Sequence, residues 1–164
     1  MNKYNFQSPF LTRIKHRSLL TKDGSSKKTY HLILDTDDCD ITYNPGDSVA
    51  IIVENDPREV DLTLNYMKAN PLQEIVDPKT SEKIKLIDFL TKKANISKAT
   101  FNFVKLFDKK LNLDEIKEII QNHHLWDILK LFEKHKIPIE EICKNMLPLL
   151  PRLYSIASST KMYP

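Results

Sequence analysis

The sequence predicts an α+β fold in which an antiparallel β-sheet or barrel is interrupted by a helical insert. Three observations predict it. The opening third alternates apolar and polar residues at the period of a strand. From Asp56 the apolar spacing becomes that of helices and holds for about 90 residues. After Pro151 the pattern turns strand-like again, at Leu153-Tyr154-Ser155-Ile156-Ala157. The expected divisions are 1–55 for the first strands, 56–150 for the insert and 151–164 for the returning strand.

Each element has a local reason. Phe10 to Leu20 alternates partially and Lys28 to Asp35 alternates well, with Tyr30, Leu32 and Leu34 on one face and His31 and Ile33 on the other. Lys22-Asp23-Gly24-Ser25 between them is a hairpin turn signal. In Tyr43-Asn44-Pro45-Gly46-Asp47, proline presets φ and glycine takes the positive φ of a type II turn. The chain then enters a strand at Ser48 to Val53.

Asp56-Pro57-Arg58-Glu59 reads as a helix start, with Asp as cap, Pro at the first helical position and Glu placed to close a capping box. Val60, Leu64 and Met67 follow at helical spacing, and Asn70-Pro71 is the expected stop. Further helices are expected at Leu86 to Ala94 and Thr100 to Lys110. A long helical stretch should open at Asn112 to Glu115, with stripes at Ile116, Ile119, Ile120 and then Leu125, Ile128, Leu129, Phe132. Pro138 opens a last helix, with Ile139, Ile142, Cys143, Met146 and Leu147 on one face, and Pro148 and Pro151 stop it. Three strands plus a fourth make a small, open-edged sheet, so the chain is expected to stop before its barrel closes.

Composition removes several classes of function. The chain has 164 residues, 41% hydrophobic and 29% charged, an ordinary globular mixture. The net charge is +3 from 25 basic and 22 acidic residues, too balanced to argue for nucleic acid. The longest apolar run, Val49 to Val53, is far short of the roughly 20 residues of a membrane span, and the first ten residues lack a signal-peptide core. A cytoplasmic location is the default. Cys39 and Cys143 are too few for a disulfide framework or a zinc site, and passive thiols are expected. With only Gly24 and Gly46, neither a P-loop nor a GxGxxG loop can be written, so a bound nucleotide must be held by side chains, isolated amides or helix ends.

The remaining clusters carry little chemistry. Asp35, Asp37, Asp38 and Asp40 begin like a calcium loop, but its sixth and twelfth positions are Asp40 and Gly46, so a solvated loop is expected. His123, His124 and His135 lack a metal-ligand spacing, and no metal is expected. Lys3, Arg13, Lys15, Arg17, Lys22, Lys27 and Lys28 read either as a charged edge strand or as a docking face for an anionic cofactor or acidic partner. Arg152-Leu153-Tyr154-Ser155 is different. On a strand, Arg152 and Tyr154 share a face, offering a guanidinium for a pyrophosphate beside an aromatic plane for a flat ring. Leu153 points the other way, to fill the interior. The same residues also suit an ordinary strand with Arg and Tyr exposed.

Three stretches resemble the FAD-binding domain of the diflavin reductases, the NADPH–cytochrome P450 reductase-like family, with the nearest likeness among the flavoprotein alpha subunits of NADPH–sulfite reductase. Tyr43-Asn44-Pro45-Gly46-Asp47 is similar to the family's Tyr-x-Pro-Gly-Asp turn, Asn55-Asp56-Pro57 to its helix start, and Pro151 to Ser159 to its Arg-x-Tyr-Ser flavin segment. The resemblance implies a partial, ferredoxin-reductase-like antiparallel barrel with an all-helical connecting insert. It implies that Arg152 pairs with the FAD pyrophosphate, Tyr154 lies against the flavin ring, Leu153 contributes backbone and packing, and Ser155 sits near the flavin N5 as the one candidate catalytic residue. It further implies hydride transfer from NADPH to FAD, then electrons onward to FMN on a separate domain or flavodoxin-like partner, or to a haem or iron–sulfur acceptor. On this resemblance the chain is expected to be a fragment that stops before the family's nicotinamide domain, inactive alone. The competing expectation is a non-catalytic module, derived from a reductase, that docks partners.

Overall fold

The computed structural model describes Tyr4, Asn5 and residues 8–37, 39 and 41–159. Its backbone divides into two compact units, one comprising Met1–Ala50 with Leu153–Pro164 and the other Ile51–Arg152.

In the first unit, β1 (Ile14–Leu19) and β2 (Tyr30–Leu34) form an antiparallel hairpin pairing Leu19 with Tyr30 and Arg17 with Leu32. The register shifts between Ile14 and His16, a bulge at Lys15. The strand predicted from Phe10 begins only at Ile14. Gly24, at φ +88°, occupies the expected turn, closed by the Ser25 N–H donating to the Lys22 carbonyl. The third strand, β3 (Ser48–Ile51), pairs with the returning strand, Arg152–Ser155. No described residue of this unit is buried.

The second unit holds the core. Asp56 caps α1 (Pro57–Met67), accepting from the Arg58 N–H at 2.8 Å. The reciprocal bond from Glu59 is absent among the described residues, because the cap engages the second helical residue rather than the third. The helix ends at Lys68 in the left-handed conformation (φ 52°, ψ 40°), before Asn70-Pro71 is reached. Val60, Leu64 and Met67 are buried as their spacing requires.

The insert is not all-helical. After α1 come β4 (Glu74–Val76) and β5 (Lys83–Lys85), an antiparallel hairpin leading into α2 (Leu86–Lys92). Next is β6 (Ala94–Asn95), which pairs with β7 (Leu147–Pro148) far along the chain. Leu147, expected on the core face of the last helix, lies instead in β7 and is exposed.

Between these strands stand α3 (Phe101–Phe107), α4 (Leu113–Asn122), α5 (Leu125–Leu131) and α6 (Ile139–Lys144). Thr100 caps α3 through the Phe103 N–H, and Asn112 with Glu115 forms the predicted capping box of α4. The long helix expected from Asn112 breaks at His123 and His124, whose backbones are extended. The two histidines therefore sit at a helix junction and not on one helix. Pro138 caps α6 from outside rather than from its first turn. Helix α1 packs against α2 and α5. Leu86, Leu90, Ile96, Phe103, Val104, Ile116, Leu125 and Ile128 are fully buried.

The final strand, β8 (Arg152–Ser155), follows Pro151. The four two-stranded sheets β1–β2, β3–β8, β4–β5 and β6–β7 form no closed barrel among the described residues. The fold is α+β with small sheets.

Candidate flavin-binding segment

The turn before β3 is built as its residues dictate. Pro45 and Gly46 occupy its centre, Gly46 at φ +96°, and the Asp47 N–H closes it on the Asn44 carbonyl at 3.0 Å. The Asp47 carboxylate accepts from the Asn44 N–H at 2.8 Å and stiffens the loop. From this turn two backbone bonds cross to the end of β8. The Gly46 N–H donates to the Ile156 carbonyl at 3.3 Å, and the Ile156 N–H donates to the Asp47 carbonyl at 2.8 Å. Beside them the Tyr43 hydroxyl and the Ser158 Oγ share a hydrogen bond of 3.0 Å, both side chains half-buried.

Strand β8 is thus tied by backbone and exposed by side chain. Arg152, Leu153, Tyr154 and Ser155 are all exposed, Leu153 at 73% and Tyr154 at 47%. Alternation along β8 turns Arg152 and Tyr154 to one face. Among the described residues the Arg152 guanidinium has no ion pair or side-chain hydrogen bond. Leu153 fills no interior, contrary to the sequence reading, because β3–β8 is a two-stranded ribbon whose faces carry no packed layer among the described residues.

The charges of β1 are partly answered within the unit. Lys15 Nζ reaches Asp37 at 2.6 Å and Asp35 at 3.2 Å. The hydrogen bonds it donates to Asp37 and then Asp35 raise the Lys15 ammonium above its ordinary range. The Asp37 amide, and after it Lys15, hold the Asp35 carboxyl below its own. The Arg17 guanidinium lies 4.0 Å over the Tyr30 ring. Asp38, Asp40 and Lys3 lie outside the described residues. Asp35 and Asp37 act as ion-pair acceptors at the loop, and no cluster suited to a metal occurs among the described residues. No helix is long and apolar enough to cross a membrane among those residues.

Sequence reasoning assigned no role to Tyr43, Ser158 or Asn55. The Asn55 side-chain amide donates to the carbonyls of Leu90 and Ala94 at 2.6 Å each, clamping the end of α2. Its place just before the helix cap was the available signal. Nothing in the spacing could link residue 43 with residue 158.

NADPH oxidoreductase A of Dictyostelium discoideum is 31% identical over 186 residues, covering 96% of this chain and 29% of that protein. The sulfite reductase (NADPH) flavoprotein alpha-component of Bacillus subtilis is 26% identical, covering 99% of this chain and 29% of its own length. That of Photorhabdus laumondii is 29% identical, with 95% of this chain and 27% of the relative covered. The chain therefore spans less than a third of the length of these relatives. The family model of the FAD binding domain matches residues 3–108, taking in the Tyr43–Asp47 turn and the Asn55-Asp56-Pro57 helix start, and the chain belongs to that FAD-binding family.

Proposed function

We propose that this chain is the FAD-holding portion of an NADPH-dependent electron-transfer oxidoreductase similar to the sulfite reductase flavoproteins. The observation that carries the reading is the Arg152–Ser155 strand, with a guanidinium that has no ion pair among the described residues on the same face as an exposed tyrosine. That donor set fits FAD. Arg152 would hold the pyrophosphate, bidentate and charge-assisted, and Tyr154 would lie on the ring system. Ser155 would stand near the flavin N5, and Leu153 would supply backbone and a surface for further packing. FAD, when bound, supplies the exchange between a hydride carrier and single-electron acceptors, while the residues here bind and orient it.

In this reading NADPH is the donor, bound elsewhere in the whole protein. The acceptor is FMN on a flavodoxin-like domain or partner, or a haem or iron–sulfur protein, in a cytoplasmic setting. The ribbons β1–β2 and β3–β8 would be strands of a ferredoxin-reductase-like antiparallel barrel. Their exposed Leu19, Ile33 and Leu153 would then face further barrel layers. Residues 56–150, within the unit Ile51–Arg152, would be the connecting insert.

The test uses the full-length protein that contains this chain. Arg152→Ala and Tyr154→Ala should each weaken FAD retention about ten-fold or more, with far-ultraviolet circular dichroism unchanged. Retention equal to wild type in both variants would remove the assignment.

A further inference from the structure

We propose that Tyr43 is a positioning residue for the flavin segment, acting through its hydrogen bond to Ser158; the inference rests on the FAD reading above. Arg152 and Tyr154 are exposed and belong to no buried core cluster among the described residues. Their orientation therefore follows from how the β8 backbone is held. Three bonds from one turn hold its outgoing end, namely Gly46 to Ile156, Ile156 to Asp47, and Tyr43 to Ser158.

The first two are backbone bonds and use no side chain, although the Gly46 one depends on a positive φ that favours glycine. The third depends on side chains. It is the only one of the three set beyond the ladder, two residues past Ile156, where it opposes twisting of the strand end about those backbone bonds. Both hydroxyls are half-buried, so losing one partner leaves the other poorly solvated. The turn itself is stiff, through Pro45 and the Asn44–Asp47 bond. A stiff turn bonded at three points is an anchor, and Tyr43 is the point of it that the sequence specifies by side chain.

The experiment is a double-mutant cycle in the flavin-loaded full-length protein. Tyr43→Phe and Ser158→Ala should each weaken FAD binding by about three- to ten-fold, as expected for one lost hydrogen bond with a stranded partner. The double variant should be no weaker than the worse single one, and Ser158→Thr, which keeps the hydroxyl, should stay near wild type. The visible circular dichroism of the flavin that remains bound should change in Tyr43→Phe, a signal that mere loss of stability does not move. Wild-type affinity and flavin spectrum in Tyr43→Phe, with Arg152→Ala still weakening FAD, would overturn the positioning role alone. Wild-type affinity in Arg152→Ala as well would overturn the flavin reading and this role with it.

Discussion

Asp77 and Lys93 form an ion pair of 3.0 Å in which the Asp77 side chain is buried, 3% exposed, and the Lys93 side chain is 42% exposed. Asp77 follows β4, and its Oδ1 accepts from the Lys79 N–H at 2.8 Å and the Thr80 N–H at 3.4 Å. Its Oδ2 makes no well-directed hydrogen bond and is met by the Lys93 charge. Burial works to raise this carboxyl, and the Lys79 amide, Lys93 and the Thr80 amide together outweigh it, leaving it below the ordinary range.

The pair gives a pH-dependent prediction. A carboxyl lowered on folding contributes stability that is full above its unfolded value of about 4 and is lost as pH falls through the lower folded value. Asp77→Ala should cost about 2–3 kcal/mol at pH 7, and Asp77→Asn about 1–2, since the amide oxygen still closes the loop. Urea unfolding should show the gap between wild type and Asp77→Asn narrowing below about pH 4. A gap constant down to pH 3 would mean that the charge contributes nothing.

Asn55 makes a sharper case, because the clamp needs a donor. Its amide gives both hydrogens to carbonyls at 2.6 Å, joining the stretch before α1 to the end of α2. Asn55→Ala should destabilise by about 1–3 kcal/mol. Asn55→Asp should be at least as harmful at pH 7, since it places an anion against two carbonyl oxygens, and should recover partly in acid as the carboxyl regains a proton to donate. Denaturant midpoints at pH 7 and pH 4 decide it.

These two interactions mark the limit of what the sequence shows. The Asn44–Asp47 turn and the Asn112–Glu115 box were readable because their geometry depends on residues a few positions apart. The hairpin of β4 and β5 was not, since each strand is three residues long, with only Ile75 and Val76 in one and Ile84 in the other to make an apolar pattern. The break between α4 and α5 was hidden because the apolar stripe runs on through His123 and His124 without glycine or proline. At the candidate site the chemical types in Arg152–Ser155 were visible. The exposure of Leu153 and the Tyr43–Ser158 bond were not, because both depend on what the chain folds against.

Thiol reactivity checks the core independently. Cys143 is 1% exposed, and burial, with the nearby Glu140 charge, pushes its thiol up to about 12. At pH 8 the buried Cys143 therefore stays in the unreactive thiol form. Cys39 is half-buried. An aromatic disulfide reagent at pH 8 should titrate one thiol in the native protein and two in denaturant. Two rapid thiols in the native state would contradict the packing of α6.

Lys68 should be improvable. It ends α1 in the left-handed region at φ 52°, where its Cβ is disfavoured, while its N–H caps the Asn65 carbonyl at 3.0 Å. Lys68→Gly keeps the bond and removes the strain. It should raise stability by about 0.5–1 kcal/mol, despite the extra freedom glycine brings to the unfolded chain. A lower melting temperature would show that the lysine side chain contributes more than its backbone costs.

Gly46 separates the conformational from the steric cost of a side chain. It sits at φ +96°, and a Cβ there would meet nothing within 4 Å. Any penalty in Gly46→Ala is therefore backbone strain, about 1 kcal/mol or more, and not a clash. The turn can relieve that strain by rotating the peptide whose N–H donates to Ile156, which would loosen the end of β8. Gly46→Ala should thus lower both stability and FAD retention, whereas Gly46→Asn, tolerant of positive φ, should lower each by less. Equal losses in the two variants would place the penalty outside the backbone and weaken the case that this turn holds the strand.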